Sequence, residues 1–211
     1  MIKVIIFDLD GTLINSINFW LSLYKKTAKK FGIMIDEEKL KKRFGERDVE
    51  ILISLTPKEK RKDILNYFHK LKLKEGKKID LKKFWFTMGV LKKIKEKNIK
   101  IAISTGNSRE IADLILKKNN LNKYVDFSIT NEEVKRGKPY PDMILKIIKY
   151  FKVKKSEVLC VGDSIYDFKA ARNAKIKIGL VQTGVLDLEE IKKLKPDYIF
   201  KDIRDILNIL I

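Results

Sequence analysis

The chain of 211 residues contains a single cysteine, Cys160, and a single histidine, His69. One cysteine excludes an intramolecular disulfide and any zinc site built from several cysteines. One histidine excludes a zinc site with two histidine ligands, and no Gly-x-Ser-x-Gly motif is present to support a Ser-His-Asp triad. We predict that Cys160 is a small buried hydrophobe and that His69 has a half-exposed structural role. Carboxylates, lysine and hydroxyl groups are therefore the expected reactive groups.

Long apolar segments are also absent. Asp8 interrupts the apolar residues that follow Lys3, so no secretory signal is expected, and no run of about 18 apolar residues predicts a membrane span. We expect a soluble, cytoplasmic protein without membrane contact, either a monomer or a homodimer. The hydrophobic content of 45% is enough for one ordinary core with a small insertion.

The chain has few acidic residues compared with basic ones, which gives a net charge of +19. Such a charge is compatible with nucleic acid, a membrane surface or small anions as partners. The lysines are spread in pairs over nearly every amphipathic segment, and no arginine-rich arm or basic tract with interleaved aromatic residues is present. We therefore do not expect specific nucleic-acid binding.

Short apolar runs alternate with amphipathic segments along most of the chain. The runs predict strands at 4–9, 99–105, 126–130, 157–163, 177–183 and 197–200. The amphipathic segments that follow the later strands predict helices at 108–119, 141–151, 165–174, 187–194 and 202–210. This alternation of nearly continuous apolar strands with helices is typical of an α/β protein with a parallel sheet covered on both faces.

The segment from 16 to 83 breaks this alternation, because it shows only helical patterns. Thr56, Pro57 and Glu59 predict the capped start of one of these helices. The segment is longer than a simple crossover needs. We therefore predict a core domain of residues 1–15 and 84–211 and an inserted α-helical cap of residues 16–83.

Polar residues follow four of the predicted strands, where a parallel sheet places its binding crevice. Aspartates that converge there would repel one another, so a hard cation such as Mg²⁺ is the expected neutralising partner. A hydroxyl, an ammonium and the N–H groups of a glycine-containing loop would serve phosphoryl oxygens. Each residue alone could equally be a turn, a helix cap or a strand end. Together they indicate phosphoryl transfer, and they are Asp8, Asp10, Thr105, Gly106, Lys138, Asp163 and Asp167.

Four segments resemble the ordered motifs of the haloacid dehalogenase superfamily. They are FDLDGTL, ISTGN, GKPYPD and VGDSIYDFKAA. The helical insertion after the first motif resembles the cap of the phosphoglycolate-phosphatase-like branch. The resemblance spans essentially the whole chain and implies a Rossmann-like core of three layers with a parallel sheet.

The resemblance also implies residue roles. Asp8 would be the nucleophile that forms an aspartyl-phosphate, and Asp10 would be the general acid and base. The implied phosphate and substrate contacts are Thr105, Gly106, Asn107 and Lys138. The implied Mg²⁺ ligands are Asp8, Asp10 through its backbone carbonyl, and Asp163, with Asp167 either supporting these ligands from behind or acting through water.

The aspartate at position 10 separates phosphatases and mutases of the superfamily from its dehalogenases. We therefore expect a Mg²⁺-dependent phosphatase that acts on a small phosphomonoester, either phosphoglycolate-like or a sugar phosphate. A sugar phosphomutase is the alternative, for which Arg47 in RFGERDVEI would contact substrate instead of being a solvated arginine at a helix start. A basic nucleic-acid-binding protein without catalysis is a third hypothesis, which rests on charge alone.

Overall fold

The computed structural model describes residues 1–78 and 81–210. Six parallel strands form one sheet in the order β3-β2-β1-β4-β5-β6. All six predicted strands are confirmed, and each begins within one residue of its predicted start. The strands are β1 (Val4–Phe7), β2 (Lys100–Thr105), β3 (Phe127–Thr130), β4 (Val158–Gly162), β5 (Lys177–Val181) and β6 (Tyr198–Phe200).

The α-helices fall into two groups. Four lie between β1 and the next helix of the core, namely α1 (Ile17–Phe31), α2 (Glu37–Lys41), α3 (Asp48–Leu55) and α4 (Arg61–Lys78). The others flank the sheet, namely α5 (Thr87–Glu96), α6 (Arg109–Lys118), α7 (Asp142–Phe151), α8 (Ile165–Ala174) and α9 (Leu188–Leu194). Short 3₁₀ helices cover Lys58–Lys60, Asn131–Glu133, Lys155–Glu157 and Ile203–Ile209. None of the helices in the described ranges is both long enough and apolar enough to cross a membrane.

Alternate side chains of the central strand β1 enter two separate hydrophobic cores. Ile5 and Phe7 pack with α5, α6 and the insertion, whereas Val4 and Ile6 pack with α7, α8 and α9. This alternation follows from the period of two residues in a strand, and all four residues are buried because both faces of the sheet are covered. The three-layer α/β core is therefore confirmed.

Helices α1 to α4 form a helical insertion with an aromatic centre. The ring of Tyr24 lies 4.7 Å from that of Phe68 and 5.8 Å from that of Phe44, measured between ring centroids. The division into a core domain and a cap at residues 16 and 83 stays a prediction. Residues 79, 80 and 211, which belong to the predicted ranges, lie outside the described residues.

Three local predictions were wrong. Thr56 does not cap a helix, because Pro57 precedes a 3₁₀ turn and the Thr56 hydroxyl is buried without a hydrogen-bond partner. The last predicted helix is the 3₁₀ helix Ile203–Ile209. His69 is exposed rather than half-exposed, while Cys160 is buried as predicted.

Candidate active site

The carboxylate of Asp8 lies directly after β1, at the edge of the sheet where the strands end. Its backbone N–H donates to the carbonyl of Val161 in β4 at 2.8 Å, which continues the strand pairing past Phe7. The Lys138 ammonium lies 2.6 Å from Asp8 Oδ1 and 2.5 Å from Asp167 Oδ1. The Lys138 side chain is 3% exposed, so this lysine is a buried bridge between two carboxylates.

Burial governs the electrostatics of this group. Removal from water raises the pKa of Asp8 to about 7, although the Lys138 charge opposes the rise. Burial and the Asp8 and Asp167 carboxylates raise the pKa of Asp163 well above its usual range. For Lys138, burial lowers the pKa, but the Asp167 and Asp8 charges outweigh it and raise the pKa overall. The site thus holds more buried carboxylates than one lysine can neutralise.

The buried carboxylates fit a hard divalent cation. One oxygen from each of Asp8, Asp163 and Asp167 lies within 4.8 Å of the other two, and all three residues are buried. The space beside Asp163 depends on glycine, since an added Cβ at Gly11 or Gly184 would lie 2.4 Å or 1.8 Å from Asp163 Oδ2. Carboxylate oxygens are the ligands that Mg²⁺ prefers. The residues present therefore suit a divalent metal ion.

Two further groups orient Asp163. Its Oδ1 accepts a hydrogen bond from the Thr12 hydroxyl at 3.3 Å, and its Oδ2 accepts one from the backbone N–H of Val185 at 3.0 Å. Both donors are in loops that follow strands, so the carboxylate is held from both sides.

The carboxylate of Asp10 is held apart from this cluster. Its Oδ1 accepts hydrogen bonds from the Ser16 hydroxyl at 2.5 Å and from Trp20 Nε1 at 2.6 Å, and its Oδ2 accepts one from Asn107 Nδ2. Ser16 and Trp20 belong to the start of the insertion. The structure therefore separates the two aspartates of the first motif, one facing Lys138 and the other facing the insertion.

The loop after β2 closes one side of the site. Thr105 is buried, and its hydroxyl oxygen accepts hydrogen bonds from the backbone N–H and the side-chain amide of Asn107, each at 3.2 Å. Gly106 lies against the insertion, because an added Cβ there would contact the Glu46 carbonyl at 3.4 Å. Thr105, Gly106 and Asn107 all line the same pocket, and their contact with a phosphate or substrate stays a prediction.

A cavity of about 60 Å³ lies over these groups. The sheet edge contributes its polar floor, which includes Asp8, Asp10 and Asp163, and the insertion contributes Trp20, Tyr24, Phe44, Glu46, Asp48 and Ile51. A small pocket with apolar walls and a polar floor is typical of a site for a small ligand.

Arg47 lies outside this pocket. Its guanidinium donates to the Asn131 side chain at 2.8 Å and to the backbone carbonyls of Asn131, Val134 and Lys135 at 3.1–3.3 Å. The sequence predicts that Arg47 contacts substrate. In the structure, Arg47 instead joins the insertion to the loop after β3. Its role toward substrate stays a prediction.

Comparison with known proteins gives the family. A family model described as haloacid dehalogenase-like hydrolase matches residues 5–181. The chain belongs to this family. It is accordingly a hydrolytic enzyme, and the resemblance that the four motifs suggest is confirmed.

Individual relatives cover nearly the whole chain. One from Caldanaerobacter subterraneus, provisionally named pyrophosphatase PpaX, is 33% identical over 99% of this chain and 94% of its own length. A phosphorylated carbohydrates phosphatase from Thermotoga maritima is 27% identical over 97% of this chain and 100% of its own length. The crystal structure of a hydrolase from Pseudomonas syringae is similar, with a TM-score of 0.86 and 26% identity over 100% of this chain and 98% of that chain. The haloacid dehalogenase fold is thus shared over essentially the full length.

Sequence reasoning missed the groups with which the insertion reaches the site. Ser16 and Trp20 follow Asp10 at spacings that no regular element would predict to be contacts, because the turn after β1 brings them back. Asp48, which lines the pocket, and the buried Lys72 that pairs with it were also missed. The sequence feature that could have indicated this pair is Lys72, a lysine within the apolar face of α4.

Proposed function

We propose that this enzyme is a Mg²⁺-dependent phosphatase that hydrolyses a small phosphomonoester through an aspartyl-phosphate. The proposal depends on one observation, the Asp8 carboxylate at the pocket floor with the Lys138 ammonium 2.6 Å away. The buried lysine opposes the effect of burial and favours the ionised form of that carboxylate, and it offsets the repulsion of an anionic phosphoryl group. Family membership supports this chemistry.

In the proposed first step, Asp8 attacks the phosphorus atom. A bond forms between the attacking oxygen and phosphorus, and the ester bond to the leaving oxygen breaks. Asp10 donates a proton to that oxygen, and the leaving group departs as an alcohol. The hydrogen bonds from Ser16, Trp20 and Asn107 support this assignment, because they fix Asp10 on the side of the pocket that faces the insertion.

In the second step, water replaces Asp8. Asp10, now ionised, takes a proton from the water while the water oxygen bonds to phosphorus and the bond from phosphorus to Asp8 breaks. Inorganic phosphate leaves, and both aspartates return to their starting forms. Thr105 and Lys138 would hold the phosphoryl oxygens during both steps.

Mg²⁺ is the proposed cofactor, and Asp8, Asp163, the Asp10 backbone carbonyl and, through water, Asp167 are its proposed ligands. Bound there, the ion supplies positive charge that stabilises the phosphoryl oxygens as charge develops on them. Thr12 and the N–H of Val185 would keep Asp163 in place for it.

Release of inorganic phosphate from a panel of phosphomonoesters tests the proposal. We expect turnover with Mg²⁺, no turnover in excess EDTA, and loss of turnover in Asp8→Asn. Mass spectrometry of acid-quenched wild-type reactions should find a phosphoryl group on the peptide that contains Asp8. Asp113→Asn, which changes an exposed aspartate of α6, is the control and should keep wild-type activity.

Retained turnover in Asp8→Asn would contradict the aspartyl-phosphate route. Turnover that does not respond to metal removal would contradict the role of Mg²⁺.

Hydrolysis of pyrophosphate is a second candidate, which the name of the relative from Caldanaerobacter favours. The same steps would apply, with phosphate as the leaving group in place of an alcohol. A phosphomutase would need a group in the insertion that holds a second phosphate. Arg47, on which that alternative rests, donates to protein carbonyls instead.

A further inference from the structure

Asp48, at the start of α3, carries a carboxylate that faces the pocket from the insertion. Its Oδ1 accepts the Tyr24 hydroxyl at 2.7 Å, and its Oδ2 lies 2.5 Å from the Lys72 ammonium. Lys72 also lies 4.7 Å from the centre of the Trp20 ring. The Lys72 side chain is 7% exposed and that of Asp48 is 32% exposed, so the carboxylate reaches open space while the ammonium lies behind it.

The described residues that line the pocket offer an anionic leaving group no cation. Among the described residues that line it there are neither lysines nor arginines, and the charged side chains that the insertion contributes are Glu46 and Asp48. Glu46 is held by Arg43 through two hydrogen bonds at 2.8 and 2.5 Å. A carboxylate or phosphate placed beside Asp48 would lose its hydration without gaining a counter-charge.

A larger groove opens on the other side of Asp48. Its uncharged polar residues include Asn66, Asn107 and Asn131. Among the described residues, the basic side chains that line this groove besides His69 are Lys72 and Arg47. Lys72 is paired with Asp48, and Arg47 is bound to the loop after β3. Amides and a carboxylate with free lone pairs suit hydroxyl groups, which can both donate and accept.

We propose that Asp48 determines specificity and that the substrates are phosphomonoesters with an uncharged, polyhydroxylated leaving group, such as sugar or polyol phosphates. Asp48 accepts hydrogen bonds from leaving-group hydroxyls and repels leaving groups that carry a carboxylate or a second phosphate. The proposal rests on the phosphatase function proposed above. The proposal favours sugar phosphates over phosphoglycolate and pyrophosphate as substrates. Neither the family nor the relatives decide among these three.

A matched pair of substrates tests the wild-type enzyme. Hydroxyethyl phosphate and phosphoglycolate have the same length. The first ends in a hydroxymethyl group and the second ends in a carboxylate. We expect kcat/KM to be at least tenfold higher for hydroxyethyl phosphate, higher still for a hexose phosphate, and lowest for pyrophosphate. Equal or higher kcat/KM for phosphoglycolate or pyrophosphate would overturn the inference and leave the phosphatase function intact. Release of phosphate from none of these compounds would overturn both.

Variants of Asp48 and Lys72 test whether this substrate preference depends on Asp48. Asp48→Asn removes the carboxylate and leaves the Lys72 ammonium without its counter-charge beside the pocket. We expect kcat/KM to fall about tenfold for the hexose phosphate and to rise severalfold for phosphoglycolate. Asp48→Asn combined with Lys72→Met should lose the gain for phosphoglycolate, because the released cation is gone.

Glu38→Gln is the matched control, since it removes an exposed carboxylate of α2. It should leave the ratio of the two kcat/KM values unchanged. A merely structural role for Asp48 would lower both values equally in Asp48→Asn, and that outcome would overturn the inference. Thermal unfolding of each variant verifies that it is folded. If Asp48→Asn does not fold, the comparison of substrates with the wild-type enzyme still tests the inference.

Discussion

Lys138 shows how one buried cation can organise a site. It touches Asp8 and Asp167, which come from β1 and α8 and are brought within 5 Å of each other by the parallel order of the strands. A buried charge is tolerated only when it is paired, so the lysine and the carboxylates require one another. The motif residues Asp8, Lys138 and Asp163 were predictable from sequence because each follows directly on a recognisable strand or turn.

Trp20 provides a test at the scale of one residue. Trp20→Phe keeps an aromatic ring in the pocket wall but removes the N–H that donates to Asp10. A hydrogen bond of this kind contributes about 0.5–1.5 kcal/mol, so kcat should fall severalfold to about tenfold if the indole positions Asp10 for proton transfer. Steady-state kinetics on the best substrate would measure the change.

The other tryptophan provides the control. Trp85 is 80% exposed and lies outside the pocket, so Trp85→Phe should leave kcat within twofold of wild type. An unchanged kcat in Trp20→Phe would show that Asp10 needs no orientation by the indole. No sequence pattern identifies Trp20 as a partner of Asp10, since the turn between them is irregular.

The secondary-structure elements were predictable to different degrees for physical reasons. A buried parallel strand needs apolar residues on both faces, so its apolar run marks it well, as in 177–183 for β5. A helix is less sharply marked at its ends. The apolar period of Ile203–Ile209 predicts an α-helix equally well, and only the backbone distinguishes the tighter 3₁₀ helix.

Asp126, in the loop before β3, joins α5 to β2 and gives a prediction about pH. Its carboxylate lies 2.7 Å from the Lys95 ammonium of α5 and accepts the backbone N–H of Ile101 in β2 at 2.8 Å. Burial alone would raise the pKa of Asp126, but these hydrogen bonds outweigh burial and lower it below the ordinary value of 3.8. A lowered pKa means that the ionised carboxylate stabilises the fold at neutral pH.

We therefore expect Asp126→Asn to lower the free energy of unfolding by about 2 kcal/mol at pH 7. The deficit should shrink as the pH falls below about 4, because the Asp126 carboxyl gains its proton there in the unfolded wild-type chain and at still lower pH in the folded protein. Urea titrations of the wild type and the variant at pH 7 and at a pH below about 4 would measure this deficit. Glu189→Gln, which alters an exposed pair with Lys192, should change the stability by less than about 0.5 kcal/mol. A deficit that is the same at both pH values would refute the electrostatic explanation.

At the scale of the molecule, the site lies between the core and the helical insertion. The sequence predicted both parts, but neither the order of the strands nor the face of the insertion that meets the core follows from periodicity. Arg47 marks that contact through its hydrogen bonds to the loop after β3. Those bonds depend on the fork shape of a guanidinium as well as on its charge.

Variants of Arg47 therefore distinguish two roles for this residue, a structural link between the insertion and the core or a contact with substrate. If it joins the insertion to the core, Arg47→Lys and Arg47→Gln should raise KM severalfold to the same extent for charged and uncharged leaving groups, because neither replacement can reach all its acceptors. Kinetics with hydroxyethyl phosphate and phosphoglycolate would measure this. Arg61→Gln, whose guanidinium donates to the Thr56 carbonyl within the insertion, is the control. Retention of wild-type KM in Arg47→Lys would indicate that the positive charge itself contacts substrate.

The spacing of the site residues along the chain has a consequence during protein synthesis. Asp8 leaves the ribosome before Lys138, which lies 130 residues behind it, and the carboxylates of α8 and its preceding loop come later still. A partly translated chain thus exposes an aspartate that has neither its counter-charge nor its companion carboxylates. With the proposed roles of these residues, we expect nascent chains to lack phosphatase activity until the segment that carries Lys138 and the α8 carboxylate has been made.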